Sequence, residues 1–357
     1  AKYNGRGISV TDNGENFLIA LSAMASNKQI KGYSTIPTDT VFVLDLSSSM
    51  RSTDDNGQSA VDELVAATNQ AITDLLALNK NNRVAVIVYA GNVNKSFSNA
   101  QGATQIILPL DSYTTDKTEN NVGTYLQVDP LTVSQRVPGG RPNQTQEVPN
   151  TNPYGLAVYD GVSSAGGNGN AFRANAFESA TGTFMQDGVY EAMKLLLAAD
   201  PVVQEGVQAG TDRLPIMVVM TDGEPTMANP DYNGNDNRTD LGTSSMYNYS
   251  GSTNRIGHRD TIAFVTSLTM AFAKKSLAAH YGEAPLMYTL AYGSTVLNRD
   301  EARSVLNPAQ ASAIQNNLWN SFLAGQAVQI YSNNVTVRNA TAESEKLTTA
   351  DRLYVNK

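Results

Sequence analysis

The chain has 357 residues, of which 41% are hydrophobic, with a formal net charge of −8 and no cysteine. That length accommodates one large domain with elaborations. The acidic balance, with a pI near 4.9, disfavours nucleic acid, which takes a basic footprint. Disulfides and thiolate-held metals are excluded, and no apolar run reaches the roughly 18 residues expected of a membrane span.

The opening AKYNGRGISV lacks the basic-then-apolar order of a secretory leader. Phe17–Leu21 reads as a short strand, and 26–40 as a polar connector. Val41–Asp45 is a continuous apolar run ending in an acid, as expected for a strand covered on both faces. Val61, Leu64, Val65, Ile72, Leu75 and Leu76 then recur at helical spacing. RVAVIVYA (83–90) is a second buried strand, and QIILPL (105–110) an edge strand, where Pro109 is tolerated.

From 111 to 180 the periodicity is lost to Pro, Gly, Asn and Thr, and a structureless loop of that length is not expected inside a domain. The stretch is read as a folded insertion with short strands. A helix follows Thr183, with Val189, Ala192, Met193, Leu196 and Leu197 on one face. PIMVVMTDG (215–223) is a third buried strand, followed by a polar insertion at 227–257. A helix (259–280), a strand (286–292), a helical region (308–323) and a final strand or hairpin complete the pattern. The close, DRLYVNK, reads as a cut point within a longer chain.

Strands alternating with helices predict an α/β fold, a doubly wound and mostly parallel open sheet with helices on both faces. The organisation expected is an N-terminal strand extension (1–37), a main domain (38–332) carrying both insertions, and a C-terminal strand extension (333–357). The two extensions are expected to lie together.

In such sheets ligands bind at the carboxyl ends of the strands, where the winding reverses. Three segments place oxygen ligands there. Asp45, Ser47 and Ser49 follow the first buried strand, Asp222 follows the third, and Thr183 precedes a helix. Two carboxylates and three hydroxyls suit a hard cation, Mg²⁺, Mn²⁺ or Ca²⁺. With so little negative charge in the site, a bound ion would gain from an anionic group brought by a partner. Taken singly, Asp-x-Ser-x-Ser is also the chemistry of a turn or helix cap.

The segments FVLDLSSSM, TGTFMQDGVYEA and MVVMTDGEP together resemble the von Willebrand factor type A domain. They match the three loops of its metal-ion-dependent adhesion site, across about 38–332, with Ser48 where a glycine is common. The resemblance implies a Rossmann-like sheet with Mg²⁺ at its top. The ion would be held by Ser47, Ser49 and Thr183, with Asp45 and Asp222 bound directly or through water. It also implies that a ligand carboxylate completes the coordination, and it points to an extracellular setting on a bacterial surface, as in adhesins and pilus-tip subunits.

Other candidates are thinner. Tyr232, Tyr247 and Tyr249 lie in a Gly/Ser/Asn-rich insertion, a composition shared by recognition loops and by loops that pack on themselves. His258 and His280 are the only histidines and sit too far apart to make a zinc site. GGNGN (166–170) lacks the lysine of a phosphate loop.

Three functions compete. One is a metal-dependent module binding a protein or glycan that presents a carboxylate. Another is a structural or assembly part of a surface fibre. The third, a hydrolase, is disfavoured because no second acid stands behind Asp45 and no histidine ends a strand, so a non-enzyme is expected. Binding is favoured over scaffold on the expectation that both insertions feed the carboxyl-end face.

Overall fold

The protein is described from a computed structural model covering residues 36–51, 59–91, 104–115, 123–128, 182–202, 212–228, 258–292, 300–330 and 335–356, with short stretches between 132 and 177 and at 2–3, 6–7 and 247–248.

Five strands form the central sheet: β1 (Thr38–Asp45), β2 (Arg83–Tyr89), β3 (Thr104–Asp111), β4 (Leu214–Thr221) and β5 (Leu286–Ala291). Their order is β5-β4-β1-β2-β3, parallel throughout except for β3. The helices of the main domain are α1 (Ala60–Leu78), α2 (Met185–Leu197), α3 (His258–Tyr281), α4 (Asp300–Leu306) and α5 (Ala313–Leu323). The expected α/β doubly wound architecture is present.

The run Val41–Leu44 is buried completely because its alternate side chains serve two cores. Val41 and Val43 join a cluster with α2, α3 and α5, while Phe42 and Leu44 join one with α1. Each such side chain contributes roughly 1.5–3 kcal/mol by leaving water. On the first face, Phe264 of α3 meets Trp319 and Phe322 of α5 edge-on, at 5.4 and 5.9 Å between ring centroids. The α1 helix starts with a reciprocal cap: the Ser59 hydroxyl accepts from the Asp62 N–H, and Asp62 accepts from the Ser59 N–H.

Among the described residues one helix, α3, is long and apolar enough to cross a membrane. Here 72% of its apolar window is buried inside the fold, as a core helix of the sheet.

β3 takes the edge position expected for QIILPL, with Pro109 exposed beside a break in the ladder register. Because β3 is antiparallel, Asp111 pairs with Val84 at the amino end of β2. The insertion at 111–180 therefore leaves from the end of the sheet opposite the Asp45 loop. This corrects in part the expectation that both insertions feed the carboxyl-end face: the first leaves from the other face and reaches the carboxyl end only where it returns, at Gly182–Thr183. Short strands within it (Leu126–Val128, Leu156–Val158 and Ala176–Phe177) form a small sheet. It docks on α1, where Asn69 bonds the backbone of Tyr125 and Leu126. Leu126, Leu156 and Val158 enter the α1-side core.

After α5, strands β6 (Val328–Ile330) and β7 (Val335–Val337) pair with each other. The chain then returns to the core through α6 (Thr349–Arg352). Tyr354 is fully buried, its hydroxyl donating to the Val305 carbonyl at 2.7 Å, and Asn356 bonds the backbone of Met287 on β5. The expected strand Phe17–Leu21 lies outside the described residues.

Beneath the sheet, the amino ends of β1 and β2 and the residue before β4 share one buried acid. Asp39 accepts from Arg83 at 2.6 and 2.8 Å, from Arg213 at 2.8 Å and from the Tyr281 hydroxyl at 2.9 Å.

Candidate metal centre

β1 and β4 are neighbours whose onward helices pack on opposite faces, α1 on one side and α3 on the other. A crevice at their carboxyl ends is what that winding produces. Asp45 ends β1 there and Thr221 ends β4 there, one residue before Asp222.

Past Asp45, the backbone N–H of Leu46 still donates to Tyr89, and Leu46 and Met50 turn inward, each at most 1% exposed. The intervening hydroxyls are thereby left on the crevice side of a tight turn, Ser48–Arg51. The Ser47 and Ser49 hydroxyl oxygens lie 3.0 Å apart. Asp222 Oδ1 accepts from Ser49 at 2.8 Å and from Ser47 at 3.4 Å. Asp45 Oδ1 accepts from the Ser47 N–H and its Oδ2 from the Thr221 hydroxyl, both at 2.7 Å. Residues separated by more than 170 positions thus share one hydrogen-bonded group.

Thr183 sits beside it, 5% exposed; a side-chain carbon placed on Gly223 would lie 3.9 Å from its hydroxyl. Its backbone is held across the crevice. The Thr183 N–H donates to the Thr226 hydroxyl at 2.8 Å, and its carbonyl accepts from the N–H groups of Thr226 and Met227. Gly182 adopts φ +96°, which glycine allows, and a methyl on Gly91 would overlap the Gly182 backbone and the Met227 sulfur. Gly91→Ala is therefore expected to cost about 1–3 kcal/mol and to displace the Thr183 loop. Thermal unfolding and a cation titration of the variant check this, and a variant with wild-type values in both would show that the loop tolerates displacement.

Both carboxyl groups are held above the usual range. Burial, and then the charge of Asp222, push Asp45 up to about 7, against the lowering effect of bonds from Thr221 and Ser47. Burial also raises Asp222, opposed by the Ser49 and Ser47 hydroxyls. Tyr89, buried beneath them, is raised well above an ordinary phenol by burial and by Asp45, and its hydroxyl lies 3.1 Å from the Met220 carbonyl. No described ion pair reaches either acid.

The donor set fits a hard divalent cation. Oxygens alone converge, two acids face one another with no described cation between them, and hydroxyls supply the remainder. Among the described residues no group of three or more His, Asp or Glu is placed to hold a metal ion, so a cation here would rely on the hydroxyls as well as the two acids. His280 bonds the Ala199 carbonyl at the far end of the 24-residue helix α3, whose first residue is His258. Tyr247 lies in a short strand, Tyr247–Asn248, that pairs with Met227–Ala228; Tyr232 and Tyr249 lie outside the described residues. The bracing residues Thr221 and Thr226 were not singled out from sequence, although both flank Asp222 closely.

Residues 40–148 match the family model of the von Willebrand factor type A domain. The matched stretch holds Asp45, Ser47 and Ser49 and ends before Thr183 and Asp222, which the fold itself brings to the same place. No curated protein matches the chain in sequence. Among solved structures, the pilus adhesin SpaC from Lactobacillus rhamnosus GG aligns at 15% identity over 81% of this chain, with a TM-score of 0.38. The adhesive tip pilin GBS104 from Group B Streptococcus agalactiae aligns at 19% over 54%, with a TM-score of 0.27. The pilus adhesin RrgA from Streptococcus pneumoniae aligns at 18% over 57%, with a TM-score of 0.28. This chain spans 30%, 29% and 22% of those three, respectively. Overlaps this loose carry no functional weight.

Proposed function

We propose that the chain is a divalent-cation-dependent binding module, with Mg²⁺ the preferred ion and Mn²⁺ or Ca²⁺ as substitutes. The observation that carries this reading is the junction of Asp45, Ser47, Ser49 and Asp222 at the winding reversal, with Thr183 alongside. The match to the von Willebrand factor type A domain supports it. Ser47, Ser49 and Thr183 would hold the ion with the two aspartates, and the ion would supply a positive centre for an acidic group on a protein or glycan partner. The role of the chain's own residues would be to gather oxygens at one point; no nucleophile or general base is assigned, and the module is not read as an enzyme. The setting proposed is extracellular, on a bacterial surface, within a longer protein.

Calorimetry on chelator-treated protein should give one binding event with Mg²⁺ or Mn²⁺. Absence of heat, or a tight preference for Zn²⁺, would remove the metal assignment. A matrix-protein binding screen with and without EDTA then separates recognition from scaffolding. One observation favours an internal structural role for part of the insertion at 111–180: its described residues Tyr125, Leu126, Leu156 and Val158 pack into the α1-side core. Recognition would then fall to the crevice and to the insertion rooted at Met227–Ala228.

A further inference from the structure

The segment from Thr221 to Met227 supplies one ligand of the proposed site, Asp222, and also braces the loops that carry the others. The Thr221 hydroxyl donates to Asp45 Oδ2 at 2.7 Å and takes the Gly223 N–H at 3.1 Å. It links the acid of β1 to the turn that bears Asp222. Thr221 is 1% exposed. Five residues on, Thr226 accepts the Thr183 N–H through its side chain and donates its own N–H to the Thr183 carbonyl at 3.0 Å.

In the Thr183 loop the core packing of Phe184 anchors the segment, but no described side chain of the loop itself bonds the Thr183 backbone. Gly182 precedes it in a left-handed conformation, and Phe184 gives α2 no side-chain cap. Thr226, bonded to Thr183 through both its hydroxyl and its N–H, helps to set where the Thr183 hydroxyl stands relative to the other oxygens.

We propose that Thr221 and Thr226 are positioning residues for the cation: neither ligates it, and each fixes a ligand on a different loop. This rests on the metal-binding reading above. Groups that orient ligands from behind typically account for 10–100-fold in metal affinity.

The test is Mg²⁺ titration by calorimetry of wild type, Thr221→Val, Thr226→Val and the corresponding Ser variants, well below their melting temperatures. Each Val variant should bind about 10–100-fold more weakly, and each Ser variant should recover most of the loss. Double variants separate positioning from general loosening. Thr226→Val should add little to Thr183→Ala, because that pair acts through one ligand, whereas Thr221→Val and Thr226→Val, which act through different ligands, should add to one another. Additive losses for Thr226→Val with Thr183→Ala, or Val variants that bind Mg²⁺ as wild type does, would overturn the proposal while leaving the metal site standing. A wild type that binds no Mg²⁺ would overturn both.

Discussion

Asp39→Asn is expected to destabilise the protein by about 3–5 kcal/mol while leaving cation binding intact. Asp39 is 0% exposed and is the shared acceptor of Arg83, Arg213 and Tyr281. Arg213 is itself 5% exposed, so a neutral residue at 39 leaves a guanidinium buried without its counter-charge. Its remaining bonds, to the carbonyls of Asn81 and Thr38, satisfy donors but not charge. Arg83→Ala should cost less, because that side chain is 26% exposed and water can reach what it leaves. From Asp39 to Asp45 the strand runs about 20 Å at ~3.3 Å per residue, so the site lies at its other end. Urea unfolding paired with Mg²⁺ titration checks both halves. A loss below about 1 kcal/mol would mean that the cluster is exposed to water in solution.

The contrast between the two ends of β1 shows what the sequence makes legible. Val41–Asp45 announces a strand buried on both faces, because an uninterrupted apolar run has no other comfortable place in a soluble fold. That Asp45, Ser47, Ser49 and Asp222 meet was readable because strand ends mark where ligands gather, and Thr183 was read with them from its place just before a helix; their part in holding a cation is the proposal above. Asp39, Arg83 and Arg213 were not readable. Each looks like an ordinary charged residue at an element boundary, and only the parallel pairing of β1 with β2 and β4 brings them together. The direction of β3 was hidden for a similar reason. A strand pattern carries period but no polarity, so the departure of the insertion at 111–180 from the amino-end face was not foreseen, although its return at Gly182–Thr183 does reach the carboxyl-end face. Thr221 and Thr226 escaped notice because a hydroxyl that braces a ligand has no motif separate from the ligand itself.

At the upper end of β1, proton and cation should compete for Asp45. Without metal its native carboxyl titrates near 7, against about 4 in the unfolded chain. Between those values the native state holds a proton that the unfolded state has released. Metal-free stability should therefore be highest at and below about pH 4, so far as this group decides it, and should fall as pH rises towards 7. A divalent ion needs the ionised form. Stabilisation by Mg²⁺ should then be slight near pH 5 and approach about 2.7 kcal/mol at alkaline pH with the ion at 100 times its Kd. Asp45→Asn keeps the shape of the side chain and removes the charge. It should abolish the Mg²⁺-induced rise in melting temperature at every pH. It should also make the metal-free pH profile shallower between 4 and 7, leaving the smaller slope that the buried Asp222 contributes. Partner binding should drop to the level seen with EDTA. Thermal scans across pH, with and without Mg²⁺, measure all but the last directly. If Asp45→Asn keeps the wild-type response to Mg²⁺, the cation is held elsewhere. If it loses that response but still binds the partner, recognition lies outside the crevice, with the insertion rooted at Met227–Ala228 as the first place to look.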